Sequence, residues 1–129
     1  ALTLDDCLTS LLHDGPEYVI GDMISPFKAI LGDSYKATES RLQEAIHIRF
    51  GLPAITPPKL KTLIKKADHV CAYFEAVQLA GFSEAEATRL FGKPPEGVRI
   101  KLAPKSVAEA QAAFLARFQA LQPAEDNTA

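Results

Sequence analysis

The residues best suited to chemistry stand close together near the start of the chain. His13 is followed directly by Asp14, and two further acids, Glu17 and Asp22, come shortly after them. An imidazole beside a carboxylate can offer a nitrogen and an oxygen ligand to one divalent metal ion, and a neighbouring acid can accept a proton from a water on that ion. The pattern predicts a site for one ion of Mn, Co, Fe, Ni, Zn or Mg, with Glu17 placed to orient or deprotonate the water.

A further candidate ligand, Asp68, lies far downstream in a strongly amphipathic segment. At 100° per residue it falls about 40° beyond Ile64, on the margin of the apolar stripe. A carboxylate on the boundary of a core needs a partner, and a metal ion would be one. The predicted ligand set is therefore His13, Asp14 and Asp68.

Packing and capping offer another interpretation of the same residues. Asp14 could cap a helix while Glu17 closes the capping box. His13 could be a surface histidine, and Asp68 could pair with Lys65.

Apolar periodicity predicts an all-helical chain in which short helices position these residues. Leucines at helical spacing from Leu4 to Leu12 predict a first helix, capped by Thr3 or Asp5 and ending near residues 14–16. A short segment should follow, and after it a loop that contains Gly21-Asp22 and Ser25-Pro26. A turn of helix over residues 28–31 should lead into a helix from residue 32 to about residue 50.

The second half of the chain carries the clearest helical signals. An apolar stripe predicts a helix over residues 59–80, and capping boxes at Ser83-x-x-Glu86 and Ser106-x-x-Glu109 predict helices to about residues 91 and 121. Residues 92–104 should form an ordered loop, and residues 123–129 should fray. We expect one domain over residues 1–122.

The longer pattern resembles the HD-domain metal-dependent phosphohydrolases, and within them the bacterial 5′-deoxynucleotidase-like subgroup. The residues that carry the resemblance are Leu11-Leu12-His13-Asp14-x-x-Glu17-x-x-x-Gly21-Asp22-x-x-x-Pro26-x-Lys28, Tyr35-Lys36-x-x-Glu39 and Lys66-Ala67-Asp68-x-x-Cys71-Ala72-Tyr73. The resemblance implies a compact helical HD-domain bundle. It also implies that His13, Asp14 and Asp68 bind the metal, that Glu17 positions or activates the attacking water, and that Asp22 is catalytic.

The resemblance further implies that Asp22 and Ser25 border the sugar and phosphate of the substrate. Lys28, Tyr35, Lys36 and Glu39 shape the fold or the mouth of the pocket, with pairing on the helix surface as the alternative. The substrate would be a small phosphate monoester, a nucleoside 5′-monophosphate by analogy with the subgroup.

The pattern departs from the family at its beginning. The family takes a further metal-binding histidine from an upstream helix and a phosphate-orienting arginine from earlier still, and residues 1–12 contain neither. Helical geometry places His69 on the solvated face and His47 off the apolar side, so neither is expected to replace that ligand. We therefore expect this chain to be the later portion of a longer protein.

Composition supports a cytoplasmic protein that binds neither nucleic acid nor membrane. The 129 residues carry a net charge of −2, and the lysines at 59, 61, 65 and 66 are predicted to form a solvated face. Cys7 and Cys71 are expected to be buried free thiols, which suits a reducing compartment. Apolar residues 114–121 are predicted to be core, with a homodimer face as the alternative. The rival to a phosphohydrolase is a non-catalytic helical module for nucleotide binding or dimerisation.

Overall fold

The computed structural model describes residues 1–122, and within them every regular element is an α-helix. In chain order the helices are α1 (Leu4–Leu11), α2 (Glu17–Ile20), α3 (Ser25–Leu31), α4 (Asp33–Arg49), α5 (Pro58–Gln78), α6 (Glu84–Phe91) and α7 (Val107–Leu121). The predicted all-α fold is confirmed for this part of the chain. The frayed tail predicted for residues 123–129 lies outside the described residues.

The chain divides into two compact units. The first contains residues 1–57 and the end of α7 from residue 114, and the second contains residues 58–113. The single domain predicted over residues 1–122 stays a prediction. Across the described residues, none of the helices is both long enough and apolar enough to cross a membrane.

Leucines form the core of the first unit. Leu8, Leu12, Leu52 and Leu121 are buried together, and a ring of partly buried residues packs against them: Cys7, Leu11, Ile46, Phe50 and Phe118. The rings of Phe50 and Phe118 meet edge to face with their centroids 5.2 Å apart, a favoured aromatic arrangement. This core joins the end of α1 to α4, and it thereby positions the segment that follows α1.

The second unit packs α6 against α5 and ties its long loop back to α5. The Gln78 side chain donates from Nε2 to the Ile100 carbonyl at 2.6 Å and accepts at Oε1 from the Leu102 N–H at 2.9 Å. Apart from a turn at residues 96–97, residues 92–104 contain no regular element. The predicted ordered loop is therefore confirmed.

Helix starts follow the predicted capping residues. Thr3 caps α1 through a capping box with Asp6, and Ser83 does the same for α6 with Glu86. At the start of α7 the Glu109 N–H donates to Ser106 Oγ, and the Ser106 N–H donates to the Glu109 carboxylate. Each box satisfies backbone N–H groups that a helix start leaves without partners.

The predicted loop at Ser25-Pro26 is wrong, because α3 already begins at Ser25. Proline is well tolerated in the first turn of a helix, since the N–H that it lacks would have no partner there and its fixed φ suits the helix. Pro26 therefore starts this helix rather than delaying it to residue 28.

Two predictions of burial are also wrong. Cys71 is exposed while Cys7 is half-buried, so the buried thiol predicted at Cys71 is not found. On α7, Phe114 and Leu115 are exposed, whereas Phe118 packs on Phe50 and Leu121 is buried. Periodicity identified the apolar face of each helix but not how much of that face a neighbour would cover.

Candidate metal and catalytic site

The turn between α1 and α2 carries His13 and Asp14 and is held tightly against α4. A Cβ added at Gly15 would lie 2.9 Å from Cδ1 of Ile46 and 3.0 Å from the Leu12 carbonyl oxygen. A side chain at this position would require the end of the Ile46 side chain to move and would crowd the Leu12 carbonyl, so glycine suits the close packing of the turn. The turn is thus fixed on both sides of the His13-Asp14 pair.

A buried polar network on α4 supports the same turn. His47 is 1% exposed, and its Nδ1 lies 2.9 Å from the Pro53 carbonyl oxygen. A carbonyl can only accept, so Nδ1 carries the proton and Nε2 accepts from the Gln43 amide at 2.8 Å. The same amide group reaches the Leu12 carbonyl at 3.4 Å. The expectation that His47 lies off the apolar side is wrong, and its two ring nitrogens are both used in this network.

The backbone also selects the tautomer of His13. Its Nδ1 lies 2.8 Å from the Ser10 carbonyl oxygen, so Nδ1 donates and the neutral ring carries its lone pair on Nε2. A backbone carbonyl that receives the other ring N–H is the usual support of a metal-binding histidine. The side chains of His13 and Asp14 are also open to solvent, with 36% and 62% of their surfaces exposed.

The separation of the two donor atoms fits a shared cation. Nε2 of His13 lies 3.2 Å from Oδ2 of Asp14. Two lone pairs at that distance repel each other unless a proton or a metal ion lies between them. With a proton on Nε2, the contact is an ion pair of His13 with Asp14, and a divalent metal ion could take the place of that proton.

Glu17, the first residue of α2, is the predicted base, and its surroundings make its carboxylate more basic. Partial burial raises the pKa of Glu17 above its usual value, and the charges of Asp14 and Asp22 raise this pKa further. Lys28 and His13 act in the opposite direction but do not cancel the effect. Asp14 and Asp22 of the predicted site, together with Lys28 and His13, thus all influence the pKa of Glu17.

Lys28, on α3, influences the pKa of Glu17 and also contacts α4. Its Nζ lies 3.4 Å from Oε1 of Glu39 and 5.8 Å from the centre of the Tyr35 ring. Burial lowers the pKa of Lys28, but attraction and hydrogen bonding from Glu39 outweigh this, so the pKa stands above its usual value. The ammonium group is therefore a fixed positive charge beside Glu17. Its placement supports the prediction that Lys28 and Glu39 shape the fold around the site.

The other predicted site residues lie in different surroundings. Asp22 is exposed in the link between α2 and α3, and Ser25 is exposed at the start of α3. Asp68 is exposed on α5, in the second unit, where it and Glu75 add to the effect of burial in raising the pKa of Cys71. Its role as a third ligand stays a prediction.

Helix capping does not explain the presence of Asp14 and Glu17 at the start of α2. The residue that caps α2 is Pro16, and no side chain hydrogen-bonds to that helix start. The alternative in which Asp14 caps the helix and Glu17 closes the box is therefore wrong. Within residues 1–122, no group of three or more His, Cys, Asp and Glu side chains is arranged to hold a metal ion. Within the first unit, His13 and Asp14 supply two donor atoms, and Glu17 supplies a carboxylate with a raised pKa.

Comparison with known proteins gives a relative without a described activity. No family model matches the chain. It is 53% identical over 118 residues to an uncharacterised protein of Rhodobacter capsulatus. The match covers 88% of this chain and 59% of that protein, so the chain spans less than two thirds of its relative.

Proposed function

We propose that the protein is a metal-dependent phosphohydrolase of the HD-domain type. Its substrate would be a small phosphate monoester, with a nucleoside 5′-monophosphate as the substrate class, and it would act in the cytoplasm. The single observation that carries the proposal is the His13-Asp14 pair. Nδ1 of His13 lies 2.8 Å from the Ser10 carbonyl oxygen, and Nε2 of the same ring lies 3.2 Å from Oδ2 of Asp14.

His13 and Asp14 of the first unit would hold the ion, and a role for Asp68 stays a prediction from the sequence. A divalent ion bound there supplies a water of lowered pKa and stabilises charge on the phosphoryl oxygens. The Glu17 carboxylate accepts the proton of the attacking water, and its raised pKa suits this task. As the new P–O bond forms, the ester P–O bond breaks, and the alcohol leaves with a proton. Asp22 and Ser25 would contact the sugar and the phosphate.

Release of inorganic phosphate from a panel of nucleoside 5′-monophosphates, with Mn²⁺ or Co²⁺ present, tests the proposal. This protein and the Rhodobacter capsulatus relative are assayed side by side. Asp14→Asn is expected to remove metal binding and turnover together. Glu17→Gln should keep the metal and lose about 10²–10⁴-fold in rate, as expected for a missing general base.

Glu44→Gln is the matched control, because Glu44 is an exposed glutamate on α4, outside the proposed site. It should leave metal binding and rate unchanged. Full activity in Glu17→Gln would contradict the role given to that residue. Binding of metal and nucleotide by the protein with no phosphate released would instead identify a non-catalytic nucleotide-binding module.

A further inference from the structure

A cationic cleft lies in the second unit, between α5 and the segment that follows α6. It has a volume of about 300 Å³, and its walls include Lys65, Lys66, His69 and Lys93. This volume lies at the lower end of the range of small-molecule sites. Neither the predicted metal ligands nor Glu17 line it, so the cleft is a separate feature of the molecule.

Helical geometry explains why these charges meet. Positions 65, 66 and 69 of α5 are three and four residues apart, which places them on one face of the helix. Gly92 ends α6 with a positive φ of 83°, which turns the chain so that Lys93 follows on the wall of the same cleft. The solvated face predicted for the lysines at 59, 61, 65 and 66 is confirmed, because all four are exposed, and two of them, Lys65 and Lys66, also line the cleft.

The charges of the cleft are not neutralised by neighbouring acids. No ion pair joins Lys65, Lys66 or Lys93 to a carboxylate among residues 1–122. The hydroxyl of Thr62, which also lines the cleft, donates to the Pro58 carbonyl at 3.0 Å and so is already engaged. The groups left to meet a ligand are thus mainly cationic.

An apolar wall accompanies the lysines. Half-buried Val70 and Phe91 line the cleft beside the charged groups. Phosphates are well matched by several ammonium donors, while the faces of Val70 and Phe91 suit an organic group. From this combination we propose that the cleft binds a small organic molecule that carries at least two phosphate groups. The proposal does not depend on the phosphohydrolase activity.

The test follows the backbone amide signals of Gly92 and Lys93 by NMR while ADP is added to the protein. EDTA is present so that no metal links ADP to the proposed catalytic site, and ionic strength is held constant. We expect saturable shifts at both amides, with tighter binding of ADP than of inorganic pyrophosphate. Equal or tighter binding of pyrophosphate would overturn the assignment of an organic ligand.

Variants separate this site from a general attraction between charges. Lys66→Gln and Lys93→Gln should each weaken ADP binding about tenfold, because each removes a charge-assisted hydrogen bond to phosphate. Lys59→Gln is the matched control, since Lys59 lies on the same helix but not on the cleft wall. Asp14→Asn should leave the shifts in place. An equal loss in Lys59→Gln, or shifts that do not saturate, would overturn the proposal.

Discussion

At the residue scale, two histidines of the first unit use the same ring nitrogen in the same way. His13 and His47 each direct Nδ1 at a backbone carbonyl, so each neutral ring carries its lone pair on Nε2. Their surroundings then separate their roles. Nε2 of buried His47 accepts from the Gln43 amide, whereas Nε2 of His13 faces the carboxylate of Asp14 near solvent. One ring supports the fold, and the other is suited to binding a cation.

The supporting role of His47 gives a prediction about stability. His47→Leu would leave the Pro53 carbonyl without its donor and the Gln43 amide without its acceptor in a buried place. We expect the free energy of unfolding to fall by about 2–4 kcal/mol, since unsatisfied buried polar groups cost about 1–3 kcal/mol each. Urea unfolding followed by circular dichroism measures this change in the free energy of unfolding.

His69→Leu is the control for this measurement. His69 is exposed, and its replacement should change the free energy of unfolding by less than about 0.5 kcal/mol. Equal effects of the two substitutions would mean that the network around His47 contributes no stability.

The sequence was informative about His13 and Asp14 but not about His47. The spacing of His13, Asp14 and Glu17 identified these residues as candidates for one site. In the structure, both His13 and Asp14 influence the pKa of Glu17. The burial of His47 depends on Pro53, which is beyond the end of α4, and on the turn after α1. A helical projection considers one helix at a time, so it could not reveal partners that other segments supply.

At the scale of elements, hydrogen bonds local in sequence decide where helices begin. The boxes at Thr3, Ser83 and Ser106 each join residues three apart. The sequence predicted the boxes at Ser83 and Ser106, and for α1 it predicted a cap at Thr3 or Asp5. The start of α3 was missed because it has no side-chain cap and depends on proline in its first turn.

The capping box of α6 predicts a dependence of stability on pH. Hydrogen bonds from the N–H and hydroxyl of Ser83 lower the pKa of Glu86 below its usual value. A carboxylate with a lowered pKa in the folded state stabilises that state above its unfolded pKa, and the contribution is lost as pH falls through the folded pKa. Glu86→Gln should therefore lower the Tm at pH 7, and the difference from wild type should shrink toward pH 3.

Thermal unfolding at the two pH values measures this effect. Glu96→Gln, an exposed change in the loop after α6, is the control and should not reproduce it. A deficit in Glu86→Gln that stays constant from pH 7 to pH 3 would show that the carboxylate charge is not responsible. Ser83→Ala should cost about 1 kcal/mol, the usual value for a lost helix cap.

At the scale of the whole molecule, the proposed metal binding would be coupled to folding. The unfolded chain does not hold His13 Nε2 and Asp14 Oδ2 in place, so an ion that binds this pair stabilises the folded state. At a free metal concentration one hundred times Kd, the stabilisation is about 2.7 kcal/mol. We expect Mn²⁺ to raise the Tm of the protein and EDTA to reverse the rise.

Two comparisons make this expectation specific. Asp14→Asn should abolish the rise in Tm, and Ca²⁺ should give a smaller rise than Mn²⁺ because calcium prefers oxygen ligands to an imidazole nitrogen. An equal rise in Asp14→Asn would place the bound metal elsewhere in the protein.

The all-helical class of the molecule was predictable, whereas its covered surfaces were not. Periodicity and caps act within single segments, and they predicted five of the seven helix starts to within a few residues, those of α1, α4, α5, α6 and α7. Burial depends on which segments meet. Cys71 and Phe114 lie on faces that looked like core in the sequence, yet both are exposed. The cationic cleft was missed for the same reason, since Lys93 joins Lys65 and Lys66 only through the turn at Gly92.

The contact of Gln78 with the backbone at residues 100–102 bears on how the chain can change over evolutionary time. One amide group anchors the far end of the long loop, through the Ile100 carbonyl and the Leu102 N–H. The cost of closing a loop rises only slowly with its length. Lineages could therefore gain or lose residues after α6 while the start of α7 keeps its anchor, provided that Gln78 is retained. Length variation among homologues should accordingly concentrate between residues 93 and 99.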